Sequence, residues 1–223
     1  MIELWHCHDA RSFRPLWALE ELGLAYKVHL LPFPPRVREP AYLEVNPLGT
    51  IPAMKDGDTF MTESAAIVQY LCTRYGPNAL TVAVEDPAYG AWLNWLHFGE
   101  ATLTFPQTLV LRYGRFEPAE RRQPQVADDY ARWFLARLRA LDAALAGGDF
   151  VCAGRFTAAD VSVGYALMLG EHLGLDGCFP PAVLAYWGRL QARPAYQRAL
   201  AAQLAAAEAQ GVSLQPAPCT GGD

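Results

Sequence analysis

The chain has 223 residues, enough for one large domain or two small ones. A formal charge of −5, with 18 basic residues scattered among 23 acidic ones, argues against a nucleic-acid-binding face. The hydrophobic fraction of 52% is ample for a core, yet no apolar run is long enough to span a membrane and no charged, then apolar leader opens the chain.

Ile2, Glu3, Leu4 and Trp5 alternate as a short strand does. After a polar stretch, Phe13, Leu16, Leu19 and Leu22 form the apolar stripe of a first helix. Pro15 is tolerated only in a first turn, so this helix must begin near Ser12, and Gly23 is its natural stop. Residues 26–31 read as a second strand, ended by Pro32, Pro34 and Pro35. A loop with at most one helical turn follows, then the dense turn Asn46-Pro47-Leu48-Gly49-Thr50-Ile51-Pro52. Residues 53–55 and 59–61 form a hairpin turned by Asp56-Gly57-Asp58, and Glu63-Ser64 opens an apolar helix that runs to about Tyr75. Strand, helix, strand, loop, strand, strand, helix describes a small mixed sheet with helices, over residues 1–77.

Residues 78–87 read as a linker, and 88–210 as an all-helical domain. A helical stretch at 89–113 holds Trp92, Trp95 and Leu96 and should bend before Pro106. Residues 126–145 are strongly amphipathic. Thr157 and Asp160 form a capping box, with Phe156 and Val161 as its hydrophobic staple, ahead of a buried helix. Two more helices flank Arg193-Pro194, and 211–223 lacks periodicity, as a loose tail would. Five cysteines, Cys7, Cys72, Cys152, Cys178 and Cys219, are odd in number and widely spaced, which fits reduced thiols in a cytoplasm better than a disulfide framework.

The Asn46–Pro52 turn followed by Glu63-Ser64 resembles the ligand-binding half of the glutathione transferases, and the Thr157–Asp160 element resembles one in the same family's helical domain. The resemblance runs from about residue 1 to 210. It implies a thioredoxin-like N-terminal domain with an all-α C-terminal domain, a cis bond at Pro52, and a homodimer. It also implies glutathione as co-substrate, without a metal, for conjugation to a small hydrophobic electrophile. Dehalogenation, isomerisation and peroxide reduction are rival outcomes on that scaffold, and a non-catalytic glutathione-binding or protein-interaction module is the rival of another class.

The residue types are compatible with this chemistry. A helix start attracts a carboxylate, the Ser64 hydroxyl adds a donor, and Glu63 can receive an ammonium, so the pair suits a free amino-acid end such as the γ-glutamyl end of glutathione. Plain helix capping explains the same pair. The Ile51 backbone beside Pro52 is placed to pair with the cysteinyl part as an added strand would. Ser12, at the first helix start and next to Arg11, can donate to a thiolate; it can equally be an ordinary N-cap, and serine-type relatives carry their hydroxyl where this chain has Asp9 and Ala10. The active-site expectation is therefore Ser12 for catalysis, with Arg11, Ile51, Pro52, Glu63 and Ser64 for glutathione. His6, Cys7 and His8 do not assemble a metal site, because neighbours on a strand face opposite ways. Trp92, Trp95, Phe98, Phe105 and Tyr113 either line an apolar substrate pocket or fill the core, and Arg112 is a candidate for an anionic substrate group.

Overall fold

The computed structural model describes residues 1–221 and divides the chain into two compact units. The first comprises Met1–Asn78 and Ala192–Ala217; the second comprises Ala79–Gln191 and the chain from Pro218 onward.

The first unit is thioredoxin-like. Its four strands, β1 (Ile2–His6), β2 (Tyr26–Leu30), β3 (Ala53–Asp56) and β4 (Thr59–Met61), lie in the order β2-β1-β3-β4. β1 pairs parallel with β2, Leu4 opposite Val28, and antiparallel with β3, Leu4 opposite Met54. The parallel pair needs a crossover, which helix α1 (Phe13–Leu22) supplies. Alternation along β1 sends Ile2, Leu4 and His6 to the buried face, which carries a histidine into the core. A single turn, α2 (Pro35–Arg38), and a 3₁₀ turn (Pro40–Glu44) occupy the expected loop before the Asn46 turn. Helix α3 (Ser64–Arg74) packs against α1.

The last long helix, α9 (Pro194–Gln210), expected at the end of the helical domain, groups instead with the sheet, against α1 and β2. Arg193 grips both Glu21 carboxylate oxygens at 2.6 and 2.8 Å, Arg198 reaches Glu20 at 2.9 Å, and the Gln210 side chain accepts from the Leu30 amide at 2.9 Å. The following stretch, expected as a loose tail, is anchored: Ala217 is buried and its amide donates to the His8 carbonyl at 2.8 Å. The last two residues of that tail lie outside the described residues.

Among the described residues the second unit is helical throughout its secondary structure: α4 (Tyr89–His97), α5 (Phe105–Leu111), α6 (Pro124–Leu145), α7 (Ala158–His172) and α8 (Pro181–Gln191). The bend expected before Pro106 is a π-helical stretch, Phe98–Thr104. It brings Gly99 so close to Ser162 on α7 that an added Cβ would sit 2.5 Å from Ser162 atoms. Ser162 Oγ donates to the Leu96 carbonyl there at 2.6 Å. The capping box forms: Asp160 accepts from the Thr157 amide at 2.8 Å and Thr157 accepts from the Ala159 amide at 3.3 Å. Asp160 also accepts from the Tyr186 hydroxyl at 2.9 Å, the Val151 amide at 3.1 Å and the Thr157 hydroxyl at 3.2 Å, and burial raises its carboxyl to about 6 against those four lowering bonds.

Candidate functional site

The Asn46 turn is self-supporting. The Asn46 side-chain amide donates to the Thr50 carbonyl at 2.7 Å while its oxygen accepts from the Leu48 amide at 3.2 Å. Tyr42 donates to the same Thr50 carbonyl at 2.7 Å. Gly49 has φ +59, and a Cβ there would meet Arg36 Cβ at 2.5 Å, so glycine is required twice over. The turn delivers a cis Ile51–Pro52 bond. Half-buried Ile51 packs against Cys7, Ala10 and Ala217, which brings it beside the loop ahead of α1. Neither its amide nor its carbonyl takes part in a hydrogen bond among the described residues.

Glu63 precedes α3 with an exposed side chain that makes no cap bond to the helix. Its carboxylate is therefore not spent on capping. Ser64, the first helical residue, is buried, and its hydroxyl oxygen accepts from Arg14 Nη1 at 3.1 Å. A guanidinium has no acceptor, so the direction of that bond is fixed and the Ser64 proton is left to be donated elsewhere.

Ser12 is built the opposite way. It is fully buried, already helical at φ −65 and ψ −10, and makes no cap bond. Its Oγ lies 2.7 Å from His6 Nδ1 and accepts from the Cys7 amide at 3.2 Å. The direction of the first bond follows from Gln203 on α9. Gln203 Nε2 donates to Asp9 Oδ1 at 2.6 Å, and Gln203 Oε1 accepts from the Asp9 amide at 3.2 Å, which orients the side-chain amide. His6 Nε2 faces that same Oε1 at 2.9 Å and must carry the hydrogen. Burial lowers His6 from the usual range to about 4, so the ring is neutral and its Nδ1 is an acceptor. The Ser12 proton goes to His6. Asp9, held from both its amide and its carboxylate, sits in the left-handed region at φ 52, which Asp tolerates better than most residues.

The remaining expected groups fall as follows. Arg11 is half-buried next to Ser12, and Pro52 is buried after Ile51. Cys7 is fully buried, its sulfur 3.8 Å from the Pro32 carbonyl, and burial pushes its thiol well up, which keeps it neutral. No group of three His, Cys, Asp or Glu side chains converges among the described residues. In the second unit Trp92 belongs to the core, Trp95 and Phe98 stack edge-on at 4.8 Å, and Phe105 is exposed. Arg112 is paired with Glu117 at 3.0 Å and lies over the Tyr113 ring.

Sequence reasoning missed Gln203 and Arg14. Gln203 had a signal: with Tyr196, Ala199 and Ala207 it occupies one buried stripe of α9, where a polar residue is out of place. Arg14 had none, because the stripe read from Phe13 to Leu22 leaves it off to one side, whereas in the fold every residue from Phe13 to Leu19 is buried.

A thioredoxin-like sheet unit carrying a cis-proline turn and an anion-ready helix start, together with a helical unit, defines a class of glutathione-handling proteins. Residues 10–74 match the glutathione S-transferase N-terminal domain family. Glutathione S-transferase 3 of Zea mays is 30% identical over 177 residues, 74% of this chain and 77% of that protein. Glutathione S-transferase 3 of Schizosaccharomyces pombe is 35% identical over 103 residues, 46% of this chain and 43% of that protein, so in that alignment the chain spans less than half of its relative. Among solved structures, a sphingomonad glutathione S-transferase complexed with glutathione superposes with a TM-score of 0.78 at 27% identity, covering 90% of this chain and 98% of the other. The chain belongs to the glutathione S-transferase family.

Proposed function

We propose that the protein binds glutathione through Glu63, Ser64, the Ile51 backbone beside Pro52, and Arg11, and conjugates the glutathione thiol to a small hydrophobic electrophile. The observation that carries this reading is Ser64, whose oxygen is taken by Arg14 and whose proton is available to a ligand carboxylate. Glu63 receives the neighbouring ammonium, and the unused amide and carbonyl of Ile51 receive the cysteinyl backbone. Bound so, the thiol is directed at the start of α1, where the helix end and Arg11 favour the thiolate. The thiolate sulfur then forms the bond to the electrophilic carbon, and the leaving group departs with the electron pair. The chain supplies orientation and thiolate stabilisation, with no metal. Ser12 serves this chemistry indirectly, by fixing the loop from Cys7 to Arg11 through His6. We further propose a cytoplasmic homodimer in which α3 of one subunit, through its partly exposed face around Ala66, Gln69, Tyr70, Thr73 and Arg74, meets the region 89–113 of the other.

One observation favours a second reading, a glutathione-binding module without transfer chemistry: the hydroxyl nearest the α1 start has already given its proton to His6. Following the ultraviolet absorbance of bound glutathione against pH separates the two. A thiolate that forms well below the ordinary thiol range of about 8.5, with turnover of at least one member of a panel of electrophiles, is expected. An unshifted thiol and no turnover leaves the binding module. Calorimetry showing no glutathione binding at all rejects both.

A further inference from the structure

We propose that Arg14 is a positioning residue for the carboxylate of the ligand, acting through the Ser64 hydroxyl. This rests on the glutathione reading above and assigns the group that selects one end of the ligand. Arg14 is fully buried because α1 is enclosed on all sides over its first two turns and packs against α3. Its guanidinium places a positive charge behind Ser64. Nη1 donates to Ser64 Oγ at 3.1 Å, so the serine oxygen receives a charge-assisted bond. A hydroxyl polarised in this way is a stronger donor through its own proton.

Two consequences follow for a ligand at the start of α3. One of the two acceptor sites of Ser64 is turned to Arg14 while its single proton is uncommitted, so the hydroxyl is biased toward a ligand acceptor. The buried cation adds to the partial positive charge of the helix start, so the acceptor is favoured when it is anionic. Exposed Glu63, one residue earlier, supplies the opposite charge for an ammonium. The pair of charges sorts the two ends of an α-amino acid: the carboxylate goes over Ser64 and the ammonium toward Glu63. Without Arg14 the hydroxyl loses its charge-assisted donor and the bias toward an anionic acceptor, and that sorting is weakened.

The test compares glutathione with 4-aminobutyryl-cysteinylglycine, which lacks only the α-carboxylate, by calorimetry against the full-length protein and its variants. The unaltered protein should prefer glutathione by about tenfold or more, as befits one hydrogen bond to a charged group. Arg14→Gln should reduce that preference to within about threefold, with Arg14→Lys falling between the two because it keeps the charge and loses the planar fork. In a Ser64→Ala background, Arg14→Lys should change neither affinity by more than about twofold, since the path through the hydroxyl is already cut. Thermal melts identify variants that have lost the fold; if Arg14→Gln has, Arg14→Lys decides alone, and its preference must lie at least about threefold below the unaltered protein. Equal weakening toward both ligands, full preference retained in Arg14→Lys, or an equal effect in the Ser64→Ala background overturns the assignment while leaving the glutathione reading intact. Failure of the unaltered protein to bind glutathione sinks that reading, and this one with it.

Discussion

Ser12 and Ser64 are the same residue type in the same place, at the start of a helix in one unit, and both are buried, at 0% and 3% exposure. Their hydrogen bonds run in opposite directions. Ser64 accepts from a cation and keeps its proton for something outside. Ser12 accepts from a backbone amide and hands its proton to a neutral histidine. The difference is set by what stands behind each hydroxyl: a cationic donor in one case, a base whose protonation state is fixed by burial and by Gln203 in the other. Position at a helix start therefore says where a serine is, and the polarity of the network behind it says whether it can serve a ligand.

The largest effect should come from cutting the network behind Ser12. Gln203→Leu removes the Gln203 hydrogen bonds made to the Asp9 carboxylate, the Asp9 amide and His6 Nε2. A loss of roughly 3–5 kcal/mol in urea unfolding is expected, as for breaking a buried charged network. A loss within about 1 kcal/mol would mean that Gln203 does not hold the loop, and the account of the Ser12 proton would go with it.

Next in size is a pH effect confined to the Ser12 side. His6 is lowered from 6.5 to about 4 by burial, so between those values the unfolded chain binds a proton that the folded one refuses. Stability is then full above pH 6.5 and falls as the pH drops toward 4, by up to about 3 kcal/mol from this group. Urea melts at pH 7 and 4.5 on the unaltered protein and on His6→Gln should show a smaller acid loss in the variant. Equal acid losses would contradict the buried neutral ring. Asp160 in the second unit works in the opposite sense: its carboxyl is raised from 3.8 to about 6, so its contribution falls as the pH rises through that window. The histidine variant is what isolates the His6 share.

What could be read from the chain divides along the same line. The Asn46–Pro52 turn, Glu63-Ser64 and the Thr157–Asp160 capping box are local, because their partners lie within a few residues and the residue types announce the geometry. The strands and the long helices were legible for the same reason, through period two and period three to four. His6 and Gln203 are separated by 197 positions, and nothing in either neighbourhood names the other. The stripe of α9 that faces the sheet unit is mostly alanine, so its apolar contrast is weak and its place beside β2 and α1 did not show. Arg14 and Ser64 lie 50 positions apart on two helices whose packing decides which side chains meet. The π-helical stretch Phe98–Thr104 depends on a close approach of Gly99 to Ser162, which is again a tertiary matter.

The most direct measurement of the central claim is the glutathione affinity, by calorimetry at pH 7, of Ser64→Ala and Ser12→Ala side by side, each checked by its melting temperature. Ser64→Ala should stay folded and weaken binding by roughly 1–3 kcal/mol, the cost of leaving a charged ligand group short of its donor. Ser12→Ala should lose stability, since His6 Nδ1 and the Cys7 amide lose their partner, and hold its affinity to within about twofold wherever it remains folded. The reverse order, with affinity lost at Ser12 and kept at Ser64, would contradict the account.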